Sequence, residues 1–228
     1  MRIDIATLFP DMCNLVLSES IIGRAREKNL IEINCHNIRD FSDDKHKRVD
    51  DYPYGGGKGM LIKAEPVYRC VKYICEFLKL KNKIKPRIIY LSAQGKRLTQ
   101  SKIKELASLE NIILICGHYE GIDQRLIDEI VDEEISIGDY VVTGGELPAL
   151  ILADAVCRLQ PGVLSDQECF MSESHYCDGV LEYPQYTRPY EWMGRKVPEV
   201  LISGHHANIK KWQEEKSLEK TKYVKQQD

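Results

Sequence analysis

Asp154 and Arg158 stand four residues apart in an otherwise apolar, helix-like run. A guanidinium is a planar fork of donors, and a carboxylate one helical turn away can hold that fork in place. Charges beside an apolar stripe are costly unless they are paired or used. Arg158 therefore reads as a cation for an electron-rich base edge, with Asp154 as its support. Downstream, Asp166, Glu168, Glu173, Asp178 and Glu182 lie in a stretch rich in Gly, Ser, Asp and Pro that shows no period. A carboxylate on such a loop can be a general base that arrives when substrate closes the site. By spacing alone all five are candidates.

The segment between Ser136 and Leu150 carries Gly138, Gly144 and Gly145, then Pro148 and an apolar run. Glycine lets backbone approach a ligand closely, and proline suits an early helical position. A second glycine-bearing loop, Cys116–Asp123, follows the strand-like run 111–115. Two such loops after apolar strands predict one ligand pocket at the carboxyl edge of a sheet. Gly55-Gly56-Gly57-Lys58-Gly59 is not a Walker A loop, because Gly59 and Met60 follow the lysine where Ser or Thr is required. There is no Gly-x-Gly-x-x-Gly, which disfavours a Rossmann nucleotide site. Basic and aromatic residues precede the glycines, from Asp44 to Tyr54, and suit RNA phosphate and base contacts. His205 and His206 are adjacent, cannot share a helical face as a metal pair, and read as RNA or dimer contacts.

The chain has 228 residues, 43% hydrophobic and 29% charged, with a net charge of −3. That is a soluble globular composition without a global nucleic-acid signal. Charge is unevenly spread: residues 183–228 hold nine Lys/Arg against six Asp/Glu, whereas 123–139 has Arg125 alone against seven acids. No apolar run approaches the roughly 20 residues that span a bilayer. Met1–Pro10 reads as a first strand and not as a signal peptide. The eight cysteines form no Cys-x-x-Cys pattern and read as free thiols in a reducing cytoplasm.

Strand-like runs fall at 2–8, 30–35, 86–91, 112–116 and 134–137, with helical patterns at 20–28, 64–80, 99–109, 123–131 and 147–159. Strands alternating with helices predict an α/β fold with a mostly parallel sheet. In the last of these helices Leu147, Leu150, Ile151, Ala155, Val156 and Leu159 are expected to form the core-facing stripe. The expected organisation is a domain over 1–160, a flexible linker over 161–182 and a small helical RNA-binding domain over 183–228.

These pieces in this order resemble the bacterial tRNA (guanine-N1)-methyltransferase family. The resemblance runs through Leu8-Phe9-Pro10, Asp44–Met60, Tyr90-Leu91-Ser92, Cys116–Asp123, Ser136–Pro148, Tyr186–Pro189 and Ser203–Trp212, nearly the whole chain. It implies a SPOUT-type sheet whose C-terminal part is threaded as a trefoil knot, and an obligate homodimer in the cytoplasm. It also implies methylation of the guanine 3′ of the tRNA anticodon, with S-adenosyl-L-methionine as methyl donor. Donor contacts are implied at Tyr90, Leu91, Ser92, Gly117, Glu120, Gly121, Ile137, Gly138, Asp139, Tyr140, Val141, Val142, Gly144, Gly145 and Pro148. Arg158 matches the family arginine that stabilises charge on the guanine. His46, Asp50, Asp154 and His205 are the substrate-side residues. The family base is usually an aspartate before Ser; here Glu173-Ser174 stands there, with one extra residue before Gly179, so Glu173 is the expected base and Asp178 its rival. Mg²⁺ accompanies the family, yet the sequence shows no dedicated metal cage. The rival readings are another SPOUT RNA methyltransferase, which needs no carboxylate base in the linker, and a non-catalytic RNA-binding protein, which needs no buried glycine loops.

Overall fold

Runs such as Arg-Ile-Asp-Ile-Ala-Thr and Asn-Ile-Ile-Leu-Ile-Cys have apolar residues pointing both ways, as strands covered on both faces must. In the computed structural model, which describes residues 1–165, 170, 173–177 and 179–226, they become buried strands of a parallel sheet. The elements in chain order are β1 (Arg2–Thr7), α1 (Pro10–Leu17), α2 (Ser20–Glu27), β2 (Glu32–Asn37), β3 (Asp50–Asp51), β4 (Leu61–Ile62) and α3 (Ala64–Leu80). There follow β5 (Arg87–Arg97), α4 (Gln100–Ala107), β6 (Asn111–Cys116), α5 (Gln124–Ile130), β7 (Glu133–Ser136) and α6 (Glu146–Cys157). The five-stranded sheet has the order β2-β1-β6-β5-β7, and every pair in it is parallel.

Alternate residues of β6 feed two cores. Ile112, Leu114 and Cys116 pack with α1, α2, α4 and α6, while Ile113 and Ile115 pack with α3 and α5. The expected strands and helices are present. The sequence reading lacked α1, a helix opened by Pro10 at its first position. It also set the stripe of α6 wrongly. Glu146, Pro148, Ala149, Leu150, Leu152, Ala153, Val156 and Cys157 are the buried residues, whereas Leu147 and Ile151 are each 48% exposed. The helix is apolar nearly all round, so its sequence gives no phase from which the buried side can be read.

The chain divides into two compact units, Met1–Ser165 and Asp166–Asp228. The second holds a hairpin of β8 (Glu191–Trp192) and β9 (Arg195–Lys196), then α7 (Glu199–Ile202) and α8 (His206–Lys225). Leu181 anchors its own segment to α8: its N–H donates to Thr221 Oγ1 at 2.9 Å and its carbonyl accepts from Ser217 Oγ.

Candidate active site

The carboxyl ends of β5, β6 and β7 frame a cavity of about 310 Å³ within the first unit. Three backbone features shape it. In β5 the register to β7 breaks between Leu91 and Lys96, so Ser92, Ala93 and Gln94 turn into the cavity. The loop after β6 is tied to the segment around β4, with Glu120 N–H donating to Met60 O and Ile62 N–H to Gly121 O, each at 3.0 Å. The loop after β7 crosses the loop after β6, where Gly145 N–H donates to Gly117 O at 2.7 Å and His118 bridges to Gly144.

That crossing explains Gly145. A Cβ there would stand 2.7 Å from Cys116 Cα and 2.8 Å from Gly117 N, both backbone atoms that cannot swing away. A Cβ on Gly117 would meet the Tyr90 hydroxyl at 2.8 Å. The glycines let two loops and a tyrosine converge where side chains would separate them. Burial pushes the Tyr90 phenol up to about 12, with Glu134 adding to the shift, so the hydroxyl stays neutral at pH 7.

Of the residues expected to contact a donor, Tyr90, Leu91, Ser92, Gly117, Glu120, Gly121, Ile137, Tyr140, Val141, Val142, Gly144, Gly145 and Pro148 line this cavity. Gly138 and Asp139 do not. Ser136 Oγ braces Gly138, accepting from its N–H at 3.2 Å and donating to its carbonyl at 2.9 Å, while Asp139 pairs with Arg97. The sequence reading missed His118, Tyr119, Gln124, Glu134 and Thr143 in the lining. One signal existed for His118 and Tyr119, since both lie inside the glycine loop already singled out. Tyr119 has φ 59°, a left-handed conformation that an aromatic residue seldom adopts outside functional loops.

Behind the cavity wall lies a buried polar cluster. Glu146 is 4% exposed, and its Oε1 accepts from Thr7 Oγ1 at 2.8 Å. Its Oε2 stands 3.9 Å from His118 Nδ1, and that nitrogen is buried without a hydrogen bond. The His118 ring is flanked by Phe9, with centroids 5.2 Å apart, and by Tyr119 at 4.8 Å.

Arg158 is the half-buried C-cap of α6, and its N–H donates to Asp154 O at 3.0 Å. The Asp154 side chain is exposed, so the cost of burying it, which the sequence reading invoked, does not arise. Glu173 is half-buried in a turn of the second unit, where its carbonyl accepts from Tyr176 N–H at 3.1 Å and Ser174 Oγ accepts from Glu182 N–H. Asp166, Glu168 and Asp178 lie outside the described residues. His46 is exposed in a turn built on Asp44, whose carboxylate accepts from His46 N–H at 2.7 Å. The Arg48 side chain and that N–H hold the Asp44 carboxyl well below the usual carboxylate range. Asp50 sits in β3, paired with Ile62, and His205 is the exposed N-cap of α8. Among the described residues no group of three or more His, Cys, Asp or Glu comes together to hold a metal ion, and no helix is long and apolar enough to cross a membrane.

Comparison with known proteins gives the same assignment along the entire chain. Residues 1–227 match the family model described as tRNA (Guanine-1)-methyltransferase TrmD. A tRNA (guanine-N(1)-)-methyltransferase of Ruminiclostridium cellulolyticum is 59% identical over 222 residues, covering 97% of this chain and 93% of that protein. The protein of the same name from Clostridioides difficile is 54% identical, with 97% and 94% covered, and that from Brevibacillus brevis is 52% identical, with 97% and 88% covered. The chain belongs to the tRNA (guanine-1)-methyltransferase family.

Proposed function

We propose that this protein transfers a methyl group from S-adenosyl-L-methionine to N1 of the guanine 3′ of the tRNA anticodon. The observation that carries the reading is the glycine crossing at Gly117 and Gly145, which opens a 310 Å³ cavity whose lining sets Gly117, Gly121, Gly144 and Gly145 beside Tyr90, Tyr119 and Tyr140. Bare amide edges of this kind suit a nucleoside. When bound, S-adenosylmethionine supplies an electrophilic methyl on its sulfonium and departs as S-adenosylhomocysteine. Guanine N1 holds a proton at neutral pH and is a weak nucleophile until that proton leaves. Glu173 takes the proton, and Arg158 steadies the charge that develops toward O6. Holding both partners in line supplies much of the remaining acceleration. His46, Asp50, Asp154 and His205 engage the tRNA.

The reading carries the family's SPOUT topology, with the knot formed where the loop after β7 crosses the loop after β6, a small helical C-terminal domain that binds tRNA, and work in the cytoplasm. It also carries a homodimer with composite sites. Its support is an apolar face on two packed helices, with Leu15 70%, Val16 51%, Leu147 48% and Ile151 48% exposed. A face of this kind needs a cover, and a second copy supplies one symmetrically. The deciding experiment is incubation with tRNA and labelled methyl donor, followed by mapping of the modified nucleoside. Label at N1 of that guanine is expected; label on a ribose, on another base or nowhere would refute the reading.

A further inference from the structure

We infer that His118, backed by Glu146 and Thr7, receives the carboxylate at the amino-acid end of the methyl donor. The inference rests on the donor reading above and deepens it. Its first ground is a census of charge around the cavity. Among the described residues, Glu120 and Glu134 are the carboxylates of the lining, and His118 is the one lining side chain that can carry a positive charge. S-adenosylmethionine has three charged groups: a sulfonium, an ammonium and a carboxylate. The two glutamates suit the cationic groups. The carboxylate needs a cation or donors, and His118 is the side chain able to be that cation.

The second ground is the wall behind the ring. Glu146 is buried, and Thr7 already occupies its Oε1. Its Oε2 stands 3.9 Å from His118 Nδ1, inside ion-pair range and too long for a hydrogen bond. A buried polar nitrogen without a partner is uncommon and calls for a reason. An imidazolium set between Glu146 and a second anion has a carboxylate within ion-pair range on either side. Gly144 permits this approach, because a Cβ there would meet both Glu146 Oε2 and His118 Nδ1 at 2.5 Å. Cys116 and Cys13 are the other titratable groups near Glu146. Burial drives the Cys116 thiol up, so it stays neutral and leaves the carboxylate to the histidine. Glu146 is on this view a positioning residue, acting on the ligand through His118.

The test is calorimetric binding of two donor analogues to the full-length protein. S-adenosylhomocysteine keeps the amino-acid end, and 5′-methylthioadenosine lacks it. The unaltered protein should prefer the former. His118→Asn should weaken S-adenosylhomocysteine by about 10–100-fold, the range for a charge-assisted hydrogen bond, and leave methylthioadenosine within about twofold. Glu146→Gln should cause a smaller loss in the same ligand alone, which a merely structural role would not do. Equal losses for both analogues, or no loss in either variant, would overturn the assignment while leaving the cavity a donor site. No preference in the unaltered protein would overturn it too, without need of a variant. Failure of the unaltered protein to bind either analogue would overturn the donor reading itself, and the assignment with it.

Discussion

Among the described residues two buried carboxylates stand beside histidines, and they differ in one respect. Asp4, in β1, is fully buried and saturated: it accepts from His36 Nε2 at 2.7 Å and from Arg2 at 2.7 and 2.8 Å. Glu146, at the start of α6, is almost as buried, yet its histidine stands off at 3.9 Å with an unpaired nitrogen. Asp4 serves the fold, locking β1 to β2 and seating Arg2 over the Phe77 ring. Glu146 serves the cavity at the carboxyl end of the sheet. Asp4 has its partners in place, whereas a buried nitrogen beside Glu146 makes no hydrogen bond and calls for a reason.

The largest effect that would test this contrast is at the crossing of the loops. Gly145→Val places carbons against the Cys116 and Gly117 backbone. The loops must part, so the rise in melting temperature on adding S-adenosylmethionine should vanish while far-UV circular dichroism keeps the α/β signal. A folded Gly145→Val protein that bound the donor normally would remove the cavity from the argument. Next comes the base. Glu173→Gln should leave donor binding intact and slow methyl transfer by roughly 10²–10⁴-fold, the range for a general base. Glu173→Asp should retain much of the rate, and Asp178→Asn should change it little. The reverse pattern would move the base to Asp178.

At the saturated pair the effect is on stability. Asp4→Ala strands His36, leaves Arg2 with Glu32 as its remaining carboxylate and should cost roughly 3–5 kcal/mol by chemical unfolding, as for other broken buried pairs. Burial alone would raise the Asp4 carboxyl; hydrogen bonds from His36 and Arg2 outweigh it and hold the group below the usual carboxylate range. A lowered folded value means that the contribution is fully present above the unfolded value of about 3.9 and is lost as pH falls toward the folded one. The stability gap between the natural protein and Asp4→Ala should therefore narrow below about pH 4. A gap that widened below about pH 4 would mean that the Asp4 carboxyl is not held down by its partners.

What the sequence discloses follows the same division. The glycine loops are legible because close approach of backbones leaves a composition that no other residue supplies, as Gly117 and Gly145 show. The sheet is legible because β6 carries the nearly unbroken apolar run of two-sided burial and β1 the alternation of Ile3 and Ile5 with other residues. The Glu146–His118 pair is not legible. Its members are 28 positions apart in sequence, and they meet only because Gly145 bonds to Gly117. The exposed side of α6 is illegible for a different reason: an all-apolar helix encodes no direction, and the surfaces that cover it decide.

The smallest effect is the most discriminating. Glu146→Gln keeps an oxygen that can accept from Thr7 Oγ1, and in the ligand-free protein it breaks no hydrogen bond to His118, whose Nδ1 makes none to the carboxylate. The stability cost should thus stay below about 1 kcal/mol, the net worth of a single hydrogen bond, since none is broken. Asp4→Asn, an equally conservative exchange at a carboxylate of similar burial, takes the charge from a guanidinium and an imidazole that both bond to it, and should cost clearly more. Both changes remove one buried charge and nearly the same volume, so burial alone predicts equal costs. Unfolding in urea at pH 7 separates the explanations. Equal losses would mean that Glu146 is as structural as Asp4, and the contrast between a finished polar cluster and an unfinished one would fail.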